Sequence, residues 1–156
     1  LGAKCTFCIS NGTGYDAVPQ IFRKPILYID YIPLVAINTY NKNVLSTTKK
    51  HWLRDENRFM TFGEIFESAA IFQKTQEFED LGIDLIDSTP EETKAAVIEM
   101  AERLAGTWQG KAEDEALQDK FWDLFPAESS RRSFSHGGEI RSRMGANFLR
   151  KNRELL

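Results

Sequence analysis

Cys5-Thr6-Phe7-Cys8-Ile9-Ser10-Asn11-Gly12-Thr13-Gly14 opens a stretch of 26 residues, ending at Asp30, whose reading decides that of the whole chain. Residues 5–10 are apolar, β-branched or aromatic, as a short strand requires, and the run stops at Asn11-Gly12-Thr13-Gly14, where glycines permit positive φ. From Tyr15 the apolar residues Ala17, Val18, Ile21 and Phe22 fall at helical spacing, with Pro19 in the first turn and Pro25 ending the helix. Ile26-Leu27-Tyr28-Ile29 then reads as a second, fully buried strand. A helix joining two strands by so short a path implies parallel pairing with a right-handed crossover. At the corner between them, the first N–H groups of the helix point outward and suit an anion such as a phosphate. A helix N-terminus contributes only about 0.3 to 2 kcal/mol, so other groups must supply most of any affinity. The plainer reading is a corner that lets the helix pack closely, since the pattern is neither a Walker loop nor G-x-G-x-x-G.

Downstream, residues 31–50 contain Pro33, Asn38, Asn41 and Asn43 without a sustained period, and they read as a long ordered loop. The loop starts at the same carboxyl edge as the corner, where open parallel sheets place their ligands. Lys49 and Lys50 at its end are either solvated or within reach of a diphosphate. Thr61-Phe62-Gly63-Glu64 is a capping box ahead of Ile65, Phe66, Ala69 and Ala70. A short helix with Phe78 and Leu81 ends at Gly82, and Ile83-Asp84-Leu85-Ile86-Asp87 has the alternation and length of a third strand. Thr89-Pro90-Glu91-Glu92 is the strongest helix start in the sequence. That helix runs to about Ala105, with Val97, Met100, Ala101 and Leu104 inward and Gly106 at its end.

Residues 113–125 form another amphipathic pattern, with Leu117, Phe121 and Leu124 inward and an acidic start, Glu113-Asp114-Glu115, that suits a helix N-terminus better than a metal. Residues 128–138 are loop-like. A last helix is expected from about Glu139, with Ile140, Met144 and Phe148 on one side. His136 lies beside Gly137-Gly138, which free its backbone to approach a ligand, although an exposed loop histidine is the plainer alternative.

At 156 residues the chain is expected to be one domain, residues 1–156, with a proper core, and its 42% hydrophobic and 28% charged residues are ordinary for a globular protein. No membrane-spanning segment or signal peptide is expected, and the start at Leu1 reads as that of a fragment. Cys5 and Cys8 stand three apart on a candidate strand, point to opposite faces and are read as buried thiols of a reducing compartment, not as a redox or metal pair. The net charge of −3 is segregated into +4 over residues 1–60, −12 over 61–128 and +5 over 129–156. The basic ends either face an anionic ligand or membrane surface or are solvated helix faces. Duplex nucleic acid is not expected as a partner, since no recognition motif accompanies the charge. His51 and His136 are too few for a histidine-rich zinc site, and no nucleophile elbow or H-E-x-x-H motif appears.

Ile9-Ser10-Asn11-Gly12-Thr13-Gly14 with Val18-Pro19, followed by Arg23-Lys24-Pro25 and the strand to Asp30, resembles the C-terminal domain of two-domain Rossmann-type (GT-B) glycosyltransferases. The chain as a whole is similar to the C-terminal part of a bacterial glycosyltransferase family linked to surface polysaccharide synthesis. Lys49-Lys50-His51-Trp52, Phe62-Gly63-Glu64-Ile65-Phe66-Glu67-Ser68, Gly82-Ile83-Asp84-Leu85-Ile86-Asp87, Gly106-Thr107-Trp108 and Phe148-Leu149-Arg150-Lys151-Asn152 carry that similarity further. The resemblance implies a nucleotide-sugar donor, bound as substrate with no cofactor, whose diphosphate lies at Asn11, Gly12, Thr13, Gly14 and Tyr15. Lys49, Lys50 and His136 complete the candidate contacts, and Asn11 stands where related sequences often have Ser or Thr. It also implies a glycan or lipid-linked acceptor and a catalytic base on an N-terminal domain, so that this chain alone is expected to be inactive. No metal-binding D-x-D motif is present. The location implied is cytoplasmic, with the inner-membrane surface as a peripheral site. The rival expectation is a noncatalytic nucleotide- or anion-binding module.

The expected fold is therefore α/β, a partial Rossmann-like three-layer domain with flanking helices and a helical C-terminal region. It has about three parallel strands, near residues 5–9, 26–30 and 83–87, in sequence order. The first strand is expected at an unprotected margin that either pairs with a second copy as a homodimer or is covered by the C-terminal helix.

Overall fold

The computed structural model describes residues 2–68, 75–125 and 139–156. The opening unit folds as its sequence indicates. Strand β1 (Cys8–Ser10) leads through a 3-10 turn (Gly14–Asp16) and a short helix α1 (Ala17–Ile21) to β2 (Ile26–Tyr28), and the two strands pair in parallel with Ile9 opposite Leu27. The helix, however, turns its apolar residues outward: Val18, Ile21 and Phe22 are exposed, and Pro19 is the buried residue.

The third strand of this sheet is not where alternation placed it. The expected loop at 31–50 contains a 3-10 turn (Leu34–Ala36) and then β3 (Val44–Ser46), which pairs in parallel with β2, Leu27 opposite Leu45. A fourth strand, β7 (Arg143–Met144), adds beyond β3, and the order is β1-β2-β3-β7 with β1 at the margin. Between β3 and β7 the chain builds β4 (Lys50–Leu53), β5 (Arg58–Phe59) and β6 (Ile83–Ile86), a separate antiparallel sheet ordered β5-β4-β6. The stretch expected as the third parallel strand is thus the antiparallel partner of β4, with His51 opposite Leu85. The physical reason lies in its pattern. A strand covered on both faces reads as a continuous apolar run, as Ile26-Leu27-Tyr28 does, whereas Ile83-Asp84-Leu85 alternates as a one-sided antiparallel strand does.

The helices are α2 (Phe62–Glu67), α3 (Thr75–Asp80), α4 (Pro90–Ala105), α5 (Asp114–Leu124) and α6 (Ala146–Lys151), followed by a 3-10 turn (Arg153–Leu155). Both capping boxes form: Thr61 and Glu64, and Thr89 and Glu92, exchange side-chain and backbone hydrogen bonds. Gly106, at φ 72°, ends α4 in the left-handed conformation that favours glycine. The inward stripe of α4 is Ala96, Glu99 and Met100; Ala101 and Leu104, expected inside, are exposed. The last helix begins at Ala146, not near Glu139, because Arg143 and Met144 are taken into the sheet.

One face of the parallel sheet packs Leu27 and Leu45 under Ala96 and Met100 of α4, and another small cluster holds Ile26, Tyr28 and Val44. The largest core lies elsewhere, among α2, α5 and α6, with Phe62 and Phe121 ring to edge at 5.2 Å. Among the described residues no helix is long and apolar enough to cross a membrane.

Candidate functional site at the carboxyl edge of the parallel sheet

Four parallel strands end together at Ser10, Tyr28, Ser46 and Met144, and α4 begins over that edge and runs back along the sheet. Its first turn borders two cavities. One, of about 600 Å³, is lined by Ser10 at the end of β1 and Asn11 after it, by Ile29 and Asp30 after β2, and by Lys49, Asp87 and Thr93. The other, of about 420 Å³, lies between α4 and α6, with Thr47, Glu92, Glu99, Gly145, Asn147 and Lys151 in its wall.

Most of the charges of the second cavity are paired. Glu99, fully buried, accepts from Arg103 Nε at 2.9 Å and from the Ala146 N–H at 2.8 Å, so it serves as the cap of α6. Burial pushes its carboxyl above the usual carboxylate range, with the Arg103 guanidinium and two backbone N–H groups opposing. Arg150 pairs with Asp114, Lys151 with Glu92 at 3.5 Å, and Arg153 with Glu113 at 3.3 Å. The acidic start of α5 is thereby explained by ion pairs as well as by the helix end.

The first cavity collects two of the residues singled out from sequence, Asn11 and Lys49. Lys49 is half-committed, since its Nζ lies 2.5 Å from Asp87. Lys50 is not brought there: its ammonium sits 3.8 Å from Glu92 and 5.5 Å over the Phe59 ring. Successive residues entering a strand face opposite ways, which separates the two lysines. Gly12, Thr13 and Gly14 continue outward from Asn11 as an exposed corner, and Tyr15 lines a smaller hollow with Gly2, Cys5 and Cys8. His136 lies outside the described residues.

The corner's geometry is fixed by two contacts. Gly12 has φ +90°, its N–H donates to Ser10 Oγ at 3.2 Å, and the Tyr31 ring stands where a Cβ would be, 2.7 Å away. The helical stretch that follows carries its own acid. Asp16 is buried and its Oδ1 has no hydrogen-bond partner among the described residues. Burial first, and the Asp16 charge second, raise the Tyr28 phenol to about 12 and push Tyr31 and the Cys8 thiol upward. That negative charge opposes an anion at the corner, and α1 is short, so the N–H groups of Gly14 and Tyr15 are what an anion would use.

Sequence reading missed Asp30. It follows β2 with φ +54°, a conformation rare for a residue with a side chain. Its N–H donates to Thr47 Oγ1 at 3.2 Å, and its carboxylate accepts from the Ser88 N–H and hydroxyl at 2.7 to 3.1 Å. Two signals pointed to it. Gly12-Thr13-Gly14-Tyr15-Asp16-Ala17 departs from G-x-G-x-x-G only in its last residue, and Asp30 stands at the end of the next strand, where an acid accompanies such a turn.

No family model matches the chain, and no curated protein or solved structure matches it.

Proposed function

We propose that the chain is the donor-binding part of a nucleotide-sugar-dependent glycosyltransferase that serves bacterial surface polysaccharide. The observation that carries the reading is the shared cavity at the ends of β1 and β2, where Asn11, Asp30 and Lys49 meet beside the glycine corner. A crevice outside the carboxyl ends of parallel strands is where such sheets bind nucleotides. In this reading the corner's N–H groups and Lys49 hold the diphosphate, and they stabilise the charge that develops on it as it leaves the sugar. The acceptor and the base that activates it belong to a second domain.

Titration of the chain with UDP, GDP and phosphate, followed by amide shifts, tests the site. The largest shifts are expected at residues 11–15 and at Lys49; shifts that avoid residues 12–15 overturn the diphosphate assignment. A noncatalytic nucleotide-binding module is the second reading, favoured by the prior engagement of the cavity's charged groups, Asp30 with Ser88 and Lys49 with Asp87. A nucleotide sugar that binds more tightly than its bare nucleotide favours the transferase, and equal affinities favour the module.

A further inference from the structure

Cys5 and Cys8 do not share a strand, so the alternation that would turn them to opposite faces does not apply. Strand β1 begins at Cys8; residues 2–4 form a turn and the chain bends at Thr6, which leaves Cys5 ahead of the strand. Both are free and half-buried, and both line one hollow of about 260 Å³ together with Gly2, Lys4, Phe7 and Tyr15. The chain has two cysteines, so the only intramolecular disulfide open to either is with the other. We propose that Cys5 and Cys8 are a vicinal dithiol that closes reversibly to a disulfide by exchange with an anionic low-molecular-mass disulfide, the class to which glutathione disulfide belongs.

Neither sulfur is committed to a strong partner. Cys5 Sγ donates to the Gly2 carbonyl at 3.1 Å, and Cys8 Sγ reaches only the carbonyl of the adjacent Ile9, at 3.7 Å. A thiol is a weak donor, so little is lost when both bonds are given up. The two groups also feel each other: burial first, then Asp16, then Cys5 push the Cys8 thiol upward. Cys8 is therefore the protonated member, and Cys5, outside the strand, attacks first. Lys4 is the charged residue of the wall, and its ammonium attracts a disulfide that carries carboxylates. The Phe7 and Tyr15 rings beside it suit a neutral disulfide better than a charged pair of thiolates around a metal ion.

Exchange then takes two steps. Cys5 Sγ, as thiolate, attacks one sulfur of the incoming disulfide; the mixed disulfide forms as that S–S bond breaks, and the first thiolate leaves with the electron pair. Cys8 loses its proton and attacks Cys5 Sγ, and the second thiolate leaves. Two cysteine thiols are oxidised, one disulfide is reduced to two thiols, and both protons end on the departing sulfurs. Closure also removes the S–H that the Gly2 carbonyl accepts. Gly2 lies against the corner's helix, where an added Cβ would stand 2.9 Å from Val18 and 3.2 Å from the Tyr15 hydroxyl. The Tyr15 ring therefore reports on the thiols.

The test holds the whole chain in glutathione buffers of graded ratio, quenches with acid, alkylates and measures the mass. The native chain is expected to pass to a form two hydrogens lighter that takes up no alkylating group and keeps no glutathione, while the Tyr15 ring resonances move with it. A fold is stabilised by a disulfide in the measure that it favours closure, so closure is expected about tenfold more readily in the native chain than in concentrated urea. Cys8→Ser is expected to keep one glutathione on Cys5, and Cys5→Ser to take one up more slowly. A native chain that stays reduced at every ratio, keeps glutathione or forms cross-linked dimers in place of the closed form overturns the proposal, as does closure no easier than in urea. Faster uptake by Cys5→Ser than by Cys8→Ser overturns the order of attack.

Discussion

A methyl group on Gly12 would meet the Tyr31 ring at 2.7 Å on a backbone with φ +90°, whereas one on Gly14 would meet nothing within 4 Å. The two glycines of one corner therefore separate folding from binding. Gly12→Ala should lose about 1–3 kcal/mol of stability, the range for a side chain held in the left-handed region. Gly14→Ala should keep or gain stability, by about 0.4–1 kcal/mol, and yet weaken phosphate binding because the methyl projects into the open space beside the corner; melting curves and a phosphate titration check both. His51 supplies a prediction of another kind. Its ring is buried against Phe78 at 5.5 Å, and burial lowers its pKa to about 4, with a hydrogen bond to the Lys49 backbone opposing. An unfolded histidine titrates near 6.5, so between pH 6.5 and 4 the unfolded chain takes up a proton that the folded chain refuses. Stability is complete above pH 6.5 and should fall by roughly 3 kcal/mol as the pH drops through that window. Glu64, held near 2 first by Arg58, and Glu92 and Asp114, also held low, add their losses only at more acid pH. Urea midpoints should thus fall between pH 7 and 4.5 in the native chain and lose that fall in His51→Gln, where the raised Glu99 carboxyl titrates in the opposite sense.

Among the elements, α4 shows most plainly what local sequence reveals and what it hides. Its start and stop were legible because Thr89, Pro90, Glu92 and Gly106 act within one turn of themselves. Its buried face was not, because Glu99 lies on that face, where hydropathy alone would never put a carboxylate. The Ala146 N–H, on the chain arriving from β7, and Arg103, one turn further along α4, together make that position acceptable. Glu99→Ala should therefore cost about 3–5 kcal/mol, the range for stripping one partner from a buried ion pair, as Arg103 and the first turn of α6 lose their acceptor together. Glu99→Gln, which still accepts one hydrogen bond, should cost less; chemical denaturation of the two variants measures the difference. The same limit hid β3 and β7. They lie outside the compact strand–helix–strand pattern that marks β1 and β2, and their pairing is decided by β2 and by each other. At the site, Asn11 and Lys49 were legible from their positions at strand and loop ends, but the parting of Lys49 from Lys50 depends on which way β4 enters its sheet.

For the molecule as a whole, the site and the main core are held by different parts of the chain. The cavity at Asn11, Asp30 and Lys49 is walled by the ends of β1 and β2 and by the start of α4, whereas the largest core gathers Phe62, Phe66, Phe121, Phe125, Phe148 and Leu149 from α2, α5 and α6. Phe121 is fully buried and touches Phe62, Phe66 and Trp122 with its ring. Truncating a buried Phe to Ala costs about 3–5 kcal/mol, and Phe121→Leu, which keeps most of the volume, should cost about half the lower figure. In a chain of 156 residues each kcal/mol lowers the melting temperature by about 2–4 °C, so a fall of a few degrees is expected. Because none of these rings lines the first cavity, Phe121→Leu should leave nucleotide affinity at the native value at temperatures well below its melt. A parallel loss of affinity and stability in that variant would mean that the helical core and the carboxyl edge form one cooperative unit, and the division between them would have to be given up.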